Sequence, residues 1–67
     1  MKNNLEEFRN RMGLTQQELA DHVAVSRQTI ISLENGRYNP SILLAFRLAK
    51  VFSVQIENLF IYSDEEE

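Results

Sequence analysis

The chain has no cysteine and no tryptophan, only two glycines and a single proline. Without cysteine it can form neither a disulfide nor a thiolate metal site. Its one histidine, His22, cannot build a metal centre alone, and an exposed helix position is the simpler reading. No apolar run approaches the length of about 20 residues that spans a bilayer, and the amino end does not read as a signal peptide. A cytoplasmic location is expected. No nucleophile stands with a base, no cluster has metal-ligand spacing, and no glycine-rich loop could cradle a phosphate. Neither catalysis, nor a cofactor, nor a metal, nor a small-molecule ligand is therefore expected. Glu6 and Glu7 read as solvated charge.

What is present is one small domain, residues 1–67. The chain has 67 residues and a hydrophobic content of 43%, typical of a folded globular protein. A chain this short buries only about 60% of the surface its unfolded form exposes. Helix packing and oligomerisation are its available supports. The net charge is −3, with seven basic and ten acidic residues. That balance disfavours nucleic acid until its distribution is seen. All seven bases, and only five of the acids, precede Ser53, so that part carries +2. The remaining acids lie at Glu57 and in a tail, residues 64–67, best read as a solvated end.

Periodicity and punctuation give five helices. Leu5, Phe8 and Met12 recur at helical spacing, so the first helix runs from Leu5 to Met12 and stops at Gly13. Thr15 with Glu18 three residues on forms a capping box for the second helix, which buries Leu19, Ala20 and Val23. Ala24-Val25 makes the turn. Ser26 caps a third helix from Arg27 to Glu34, ended by Asn35-Gly36. After the loop Arg37-Tyr38-Asn39-Pro40, Ser41 caps a fourth helix from Ile42 to Phe52. A fifth covers Ile56 to Leu59. The segment Phe60-Ile61-Tyr62 is β-prone and predicts a short carboxy-terminal strand. The expected core is Leu5, Phe8, Met12, Leu19, Val23, Ile30, Leu33, Leu44, Leu48, Phe52, Ile56 and Leu59.

Residues 15–36 thus read as two short helices joined by a tight turn. In the second of them, Ile30 and Leu33 face inward, leaving Arg27, Gln28, Ile31 and Ser32 on the opposite face. A helix of eight residues, about 12 Å long, fits the major groove. There Arg27 can donate to guanine, Gln28 can pair with adenine, Ser32 can serve several bases, and Ile31 can rest on a thymine methyl. On an arbitrary helix such a face would simply be wet. Gln16 and Gln17 open the preceding helix, whose free amides favour an anion. Asn35, Gly36, Arg37 and Tyr38 follow the reading helix and suit the phosphate backbone. Such contacts position the protein without reading sequence.

The stretch TQQELADHVAVSRQTIISLENGRYNPS resembles the helix-turn-helix of the Xre family, the group of lambda repressor and Cro. The likeness covers residues 5 to 60, and T-Q-x-E-L-A, S-R-Q-T-I, L-E-N-G and P-S together carry it. The size, the RYNPS loop and the LFIY segment look like the small stand-alone dimeric regulators similar to the cytolysin repressor. The resemblance implies a five-helix fold, a two-fold dimer and operator binding. It places base readers at Arg27, Gln28 and Ser32, puts Gln16 on phosphate, and pairs Arg9 with Glu34. The chain departs from the group at Ile31, usually small or polar, and at its brief amino end, Met1 to Asn4, which argues against an amino-terminal strand.

The expected function is a transcriptional repressor that binds a palindromic operator as a homodimer. The alternative is an antitoxin that binds a protein partner as well as DNA. The dimer surface is expected at Asn58, Phe60, Ile61 and Tyr62, with Leu43 and Val51 of the fourth helix as surplus apolar residues. Glu18 and Asp21 could touch polymerase in an activator, but capping and solvation explain them more simply.

Overall fold

Local capping chemistry sets where most of the helices begin and end. The computed structural model describes residues 2–37 and 39–61. It runs β1 (Lys2–Asn3), α1 (Leu5–Arg11), α2 (Gln16–Val23), α3 (Arg27–Glu34), α4 (Ile42–Phe52), α5 (Ile56–Leu59) and β2 (Phe60–Ile61). The Thr15 hydroxyl accepts the Glu18 amide at 3.0 Å, while Glu18 Oε1 accepts the Thr15 amide at 2.8 Å. Ser26 caps α3 through the Thr29 amide at 3.2 Å, and Ser41 caps α4 through the Leu44 amide at 3.1 Å. Gly13 and Gly36, both at φ +70°, supply the left-handed turns after α1 and α3. The other two left-handed stops were not foreseen. Ala24 ends α2 at φ 60°, and Ser53 ends α4 at φ 55°. Each accepts the steric cost because its turn closes helix carbonyls, as where Ala24 N–H reaches Ala20 and Asp21 oxygens.

The core is one cluster. Leu5, Leu19, Ile30, Leu33, Leu48 and Leu59 are its fully buried large side chains. α2 packs on α3 and α4, α1 on α3, and α5 on α4. Phe8 and Ile56 are half-buried against this cluster, as are Leu14 and Val51. Phe8 stacks on Phe52 at 5.8 Å between ring centroids, with the Arg11 guanidinium 5.3 Å from its ring. Met12 is a correction: it is 53% exposed. Its spacing from Phe8 would bury it only if α1 continued, but the helix ends at Arg11 and Met12 is its cap. Ala45 and Ala49 were missed because small side chains give a weak apolar signal, yet both are buried.

The fold is mostly helical but not purely so. β1 pairs with β2 in antiparallel fashion, Lys2 opposite Ile61 and Asn3 opposite Phe60. The brief amino end therefore does form a strand, against expectation. Two residues suffice because the next one is anchored independently. Asn4 N–H donates to the Leu59 carbonyl at 2.8 Å, and Asn4 Nδ2 donates to the Asn58 carbonyl at 3.1 Å. Phe60 is the second correction. Drawn in by this pairing, it is only 8% exposed and joins the chain's own core instead of offering its ring to a second copy.

Candidate nucleic-acid interface

The turn at Ala24-Val25 sets α3 against α2 so that the inward face of α3, Ile30 and Leu33, is sealed. The outward face then follows from helical geometry. Arg27 and Gln28 are exposed, and Ile31 and Ser32 are half-buried beside them. All four candidate base readers share one surface, Arg27 at the amino end and Ser32 in the last turn. The Ser26 hydroxyl caps α3 through the Thr29 amide without engaging any of the four. Beyond α3, Gly36 N–H closes on the Leu33 carbonyl and Arg37 N–H on the Ser32 carbonyl, both at 3.0 Å. Asn35 and Arg37 are exposed at this end. Tyr38 lies outside the described residues, as do Tyr62 and the acidic tail.

A cleft of about 510 Å³ opens where α2 begins, lined by Arg9, Thr15, Gln16, Gln17 and Arg27. The free amides at the start of α2 and the Arg27 guanidinium give its mouth a positive character that suits a phosphate oxygen. Gln17 is exposed, and its Nε2 donates to Asp21 Oδ1 at 2.9 Å. Gln16 is half-buried, and its Nε2 donates to Glu34 Oε1 at 3.1 Å. This last contact was not legible in the sequence, since no short-range pattern connects residues 16 and 34.

Glu34 is the hub of the site's only carboxylate-centred network among the described residues. Arg9 Nε donates to Glu34 Oε2 at 2.6 Å, Arg9 Nη2 to Glu34 Oε1 at 3.3 Å, and Arg9 Nη1 to the Leu14 carbonyl at 2.9 Å. Both side chains of the pair are buried. The fork-to-carboxylate geometry is the strong form of this interaction. Its electrostatic effect is to neutralise the one acid of α3, so the reading face carries positive charge alone. Arg47, also unforeseen, donates Nη1 to the Val23 carbonyl at 3.4 Å and closes the carboxyl end of α2.

The residues expected at a dimer surface separate. Asn58 is exposed, but its Oδ1 accepts the Gln55 amide at 3.1 Å and its carbonyl holds Asn4. Ile61 remains available at 43% exposure. The larger exposed apolar side chains lie on α4, where Ile42 is 76% and Phe46 59% exposed. Among the described residues no group of acids and histidines could hold a metal, and no helix is long and apolar enough to cross a membrane.

The sequence model of the helix-turn-helix family matches residues 5–59. An HTH-type transcriptional regulator of Methanocaldococcus jannaschii is 54% identical over 66 residues, covering 98% of this chain and 100% of that protein. Another, from Archaeoglobus fulgidus, is 53% identical over 66 residues, covering 98% and 94%. Among solved structures, the restriction-modification controller protein C.AhdI from Aeromonas hydrophila superimposes with a TM-score of 0.75 at 30% identity, covering 84% of this chain and 85% of that one.

Proposed function

The chain belongs to the Xre-type helix-turn-helix family of DNA-binding transcriptional regulators, and from that premise we propose that it is a cytoplasmic repressor that binds a palindromic operator as a homodimer. The family is a class of DNA-binding proteins, not of enzymes. The observation that carries the reading is the outward face of α3, where Arg27, Gln28, Ile31 and Ser32 lie together beside the positive mouth of α2. Arg27, Gln28 and Ser32 read base edges, and Ile31 meets a thymine methyl. Gln16, Gln17, Asn35 and Arg37 hold the phosphates on either side. Repression needs only occupancy of DNA, whereas activation needs a surface kept for polymerase. The acids of α2 serve their own helix instead: Glu18 caps Thr15 and Asp21 accepts from Gln17.

One reading helix spans too few base pairs to select a site in a genome. Two reading helices about 34 Å apart read a palindrome from one face of DNA. The domain measures 32 × 23 × 20 Å, so two copies side by side set equivalent points at a separation of this order. Ile42, Leu43 and Phe46 form the exposed apolar surface of α4, while Ala45 and Ala49 face the chain's own core. Beside that surface lies an apolar cleft of about 300 Å³ whose lining includes Pro40, Ile42, Ala45, Ile56 and Phe60. With Ile61, the exposed side chains of α4 are the surface that a second copy covers, while Phe60 stays in the chain's own core. The interface thus moves from the last residues toward α4.

Footprinting on the promoter of the protein's own gene tests the operator. The expected result is two protected, inverted half-sites centred one helical turn apart. Sedimentation at micromolar concentration tests the dimer, with Phe46→Asp expected to give a monomer. A single protected half-site together with a monomeric unmodified chain would overturn the reading. A Phe46→Asp chain that stays dimeric would move the interface off α4.

A further inference from the structure

The Asn3 side chain joins three parts of the molecule that sequence keeps far apart. Its Nδ2 donates to the carbonyl of Leu33, in the last turn of α3, at 2.7 Å across thirty residues. Its Oδ1 accepts the Leu5 amide at 3.1 Å and so serves the start of α1. Its backbone lies opposite Phe60 in the two-stranded sheet. The neighbouring Asn4 adds two bonds to α5, at the Asn58 and Leu59 carbonyls. Asparagine suits this position because a single short side chain carries both a donor and an acceptor.

We propose that Asn3 is a positioning residue for DNA recognition: by tying the carboxyl end of the reading helix to the terminal strands, it fixes the distance between the two reading helices of a dimer. The inference rests on the dimeric operator-binding reading above. Its argument is one of leverage. α3 is about 12 Å long, so a tilt of about 5° at its carboxyl end carries Arg27 by about 1 Å. In a two-fold dimer both copies move, giving about 2 Å against a base-pair rise of about 3.4 Å. Side-chain contacts tie the carboxyl end of α3 in two directions. Glu34 binds it to Arg9 and Gln16 within the body of the domain, while Asn3 binds Leu33 to the strands next to Ile61. Loss of the second leaves the first, so the domain keeps its fold and each reading helix keeps its face. What loosens is the relation of that helix to the terminal strands, whose Ile61 borders the α4 surface that meets the partner.

The test uses the full chain and three duplexes: the footprinted operator, the same operator with one base pair added at its centre, and an isolated half-site. Asn3→Asp keeps the acceptor for Leu5 but sets a carboxylate oxygen against the Leu33 carbonyl, so the tie is lost and repulsion replaces it. The unmodified chain is expected to prefer the native spacing. In Asn3→Asp that preference should fall at least about fivefold, the weight of one hydrogen bond, with half-site affinity held within about twofold. Circular dichroism and sedimentation establish that the variant is folded and dimeric. A folded, dimeric variant with undiminished spacing preference overturns this inference alone. An unmodified chain with no spacing preference overturns the dimer reading as well. Equal losses on operator and half-site assign Asn3 to general stability and overturn the proposal. Should Asn3→Asp unfold, Asn3→Ser, which keeps a short acceptor but cannot reach Leu33, carries the same readout; unfolding of both also assigns Asn3 to stability alone.

Discussion

The helix-turn-helix and the terminal seam satisfy their backbones by opposite means. In the first, Thr15 caps three residues ahead, Ser26 does the same, and Gly36 folds back on Leu33. In the second, Asn4 reaches Asn58 across 54 positions, and Lys2 lies opposite Ile61. The reading unit is thus written in short-range chemistry that it carries wherever the chain goes. Its orientation relative to the rest is written in long-range contacts. A regulator of this kind separates two problems. The face that reads bases is a local property, while the spacing between two such faces belongs to the whole molecule.

Glu34 lies at the junction of the two regimes, and breaking it should have the largest effect. Glu34→Ala leaves the Arg9 guanidinium buried with the Leu14 carbonyl but without its carboxylate, and should cost about 3–5 kcal/mol, comparable with the whole stability of a small domain. Urea unfolding would register it. A loss below about 1 kcal/mol would mean that the reading unit stands on its local caps alone.

The seam should outweigh the caps. Leu59 is fully buried where α5 meets the amino end, and Leu59→Ala should cost about 2–5 kcal/mol. Thr15→Ala should cost about 1 kcal/mol, since water replaces most of the lost cap. The contrast between regions collapses if Thr15→Ala proves the more costly. On the functional side, Arg27→Ala should lose about 1–3 kcal/mol of operator affinity and relax choice at one position of each half-site. Arg37→Ala should weaken all sequences alike and lower the salt slope by about 1. Binding to an operator panel at several salt concentrations separates them, and a uniform loss for Arg27→Ala would reassign it to phosphate.

The smallest effect should be a gain. Ala24→Gly relieves about 1–2 kcal/mol of left-handed strain. It also concedes about 0.4–1 kcal/mol to a freer unfolded chain. A net gain of about 0.5 kcal/mol should appear as a modest rise in the urea midpoint. A loss would show that the Ala24 methyl packs productively at the turn.

Legibility in the sequence follows the same division. The bounds of α3 and the start of α4 were readable because Ser26, Gly36 and Ser41 announce themselves within a few residues. The shared face of Arg27, Gln28, Ile31 and Ser32 needed only helical spacing and two buried neighbours. Met12 misled because periodicity does not know where a helix stops. Phe60 misled because its fate depends on Lys2 and Asn3, far away in sequence. The Gln16–Glu34 contact and the Asn3 bridge to Leu33 were silent for the same reason. The link between Arg9 and Glu34 had no local signal either; only family resemblance pointed to it.

The pairing of Lys2 with Ile61 brings the first and last described residues side by side. A few flexible residues between these positions would close a ring, and the covalent order of the helices would then cease to matter to the folded form. Closure would remove conformations chiefly from the unfolded chain. The same adjacency suits the domain to being spliced into a loop of a host protein, entering and leaving at one place. A DNA-reading module entered at Lys2 and left at Ile61 can be grafted without pulling its helices apart.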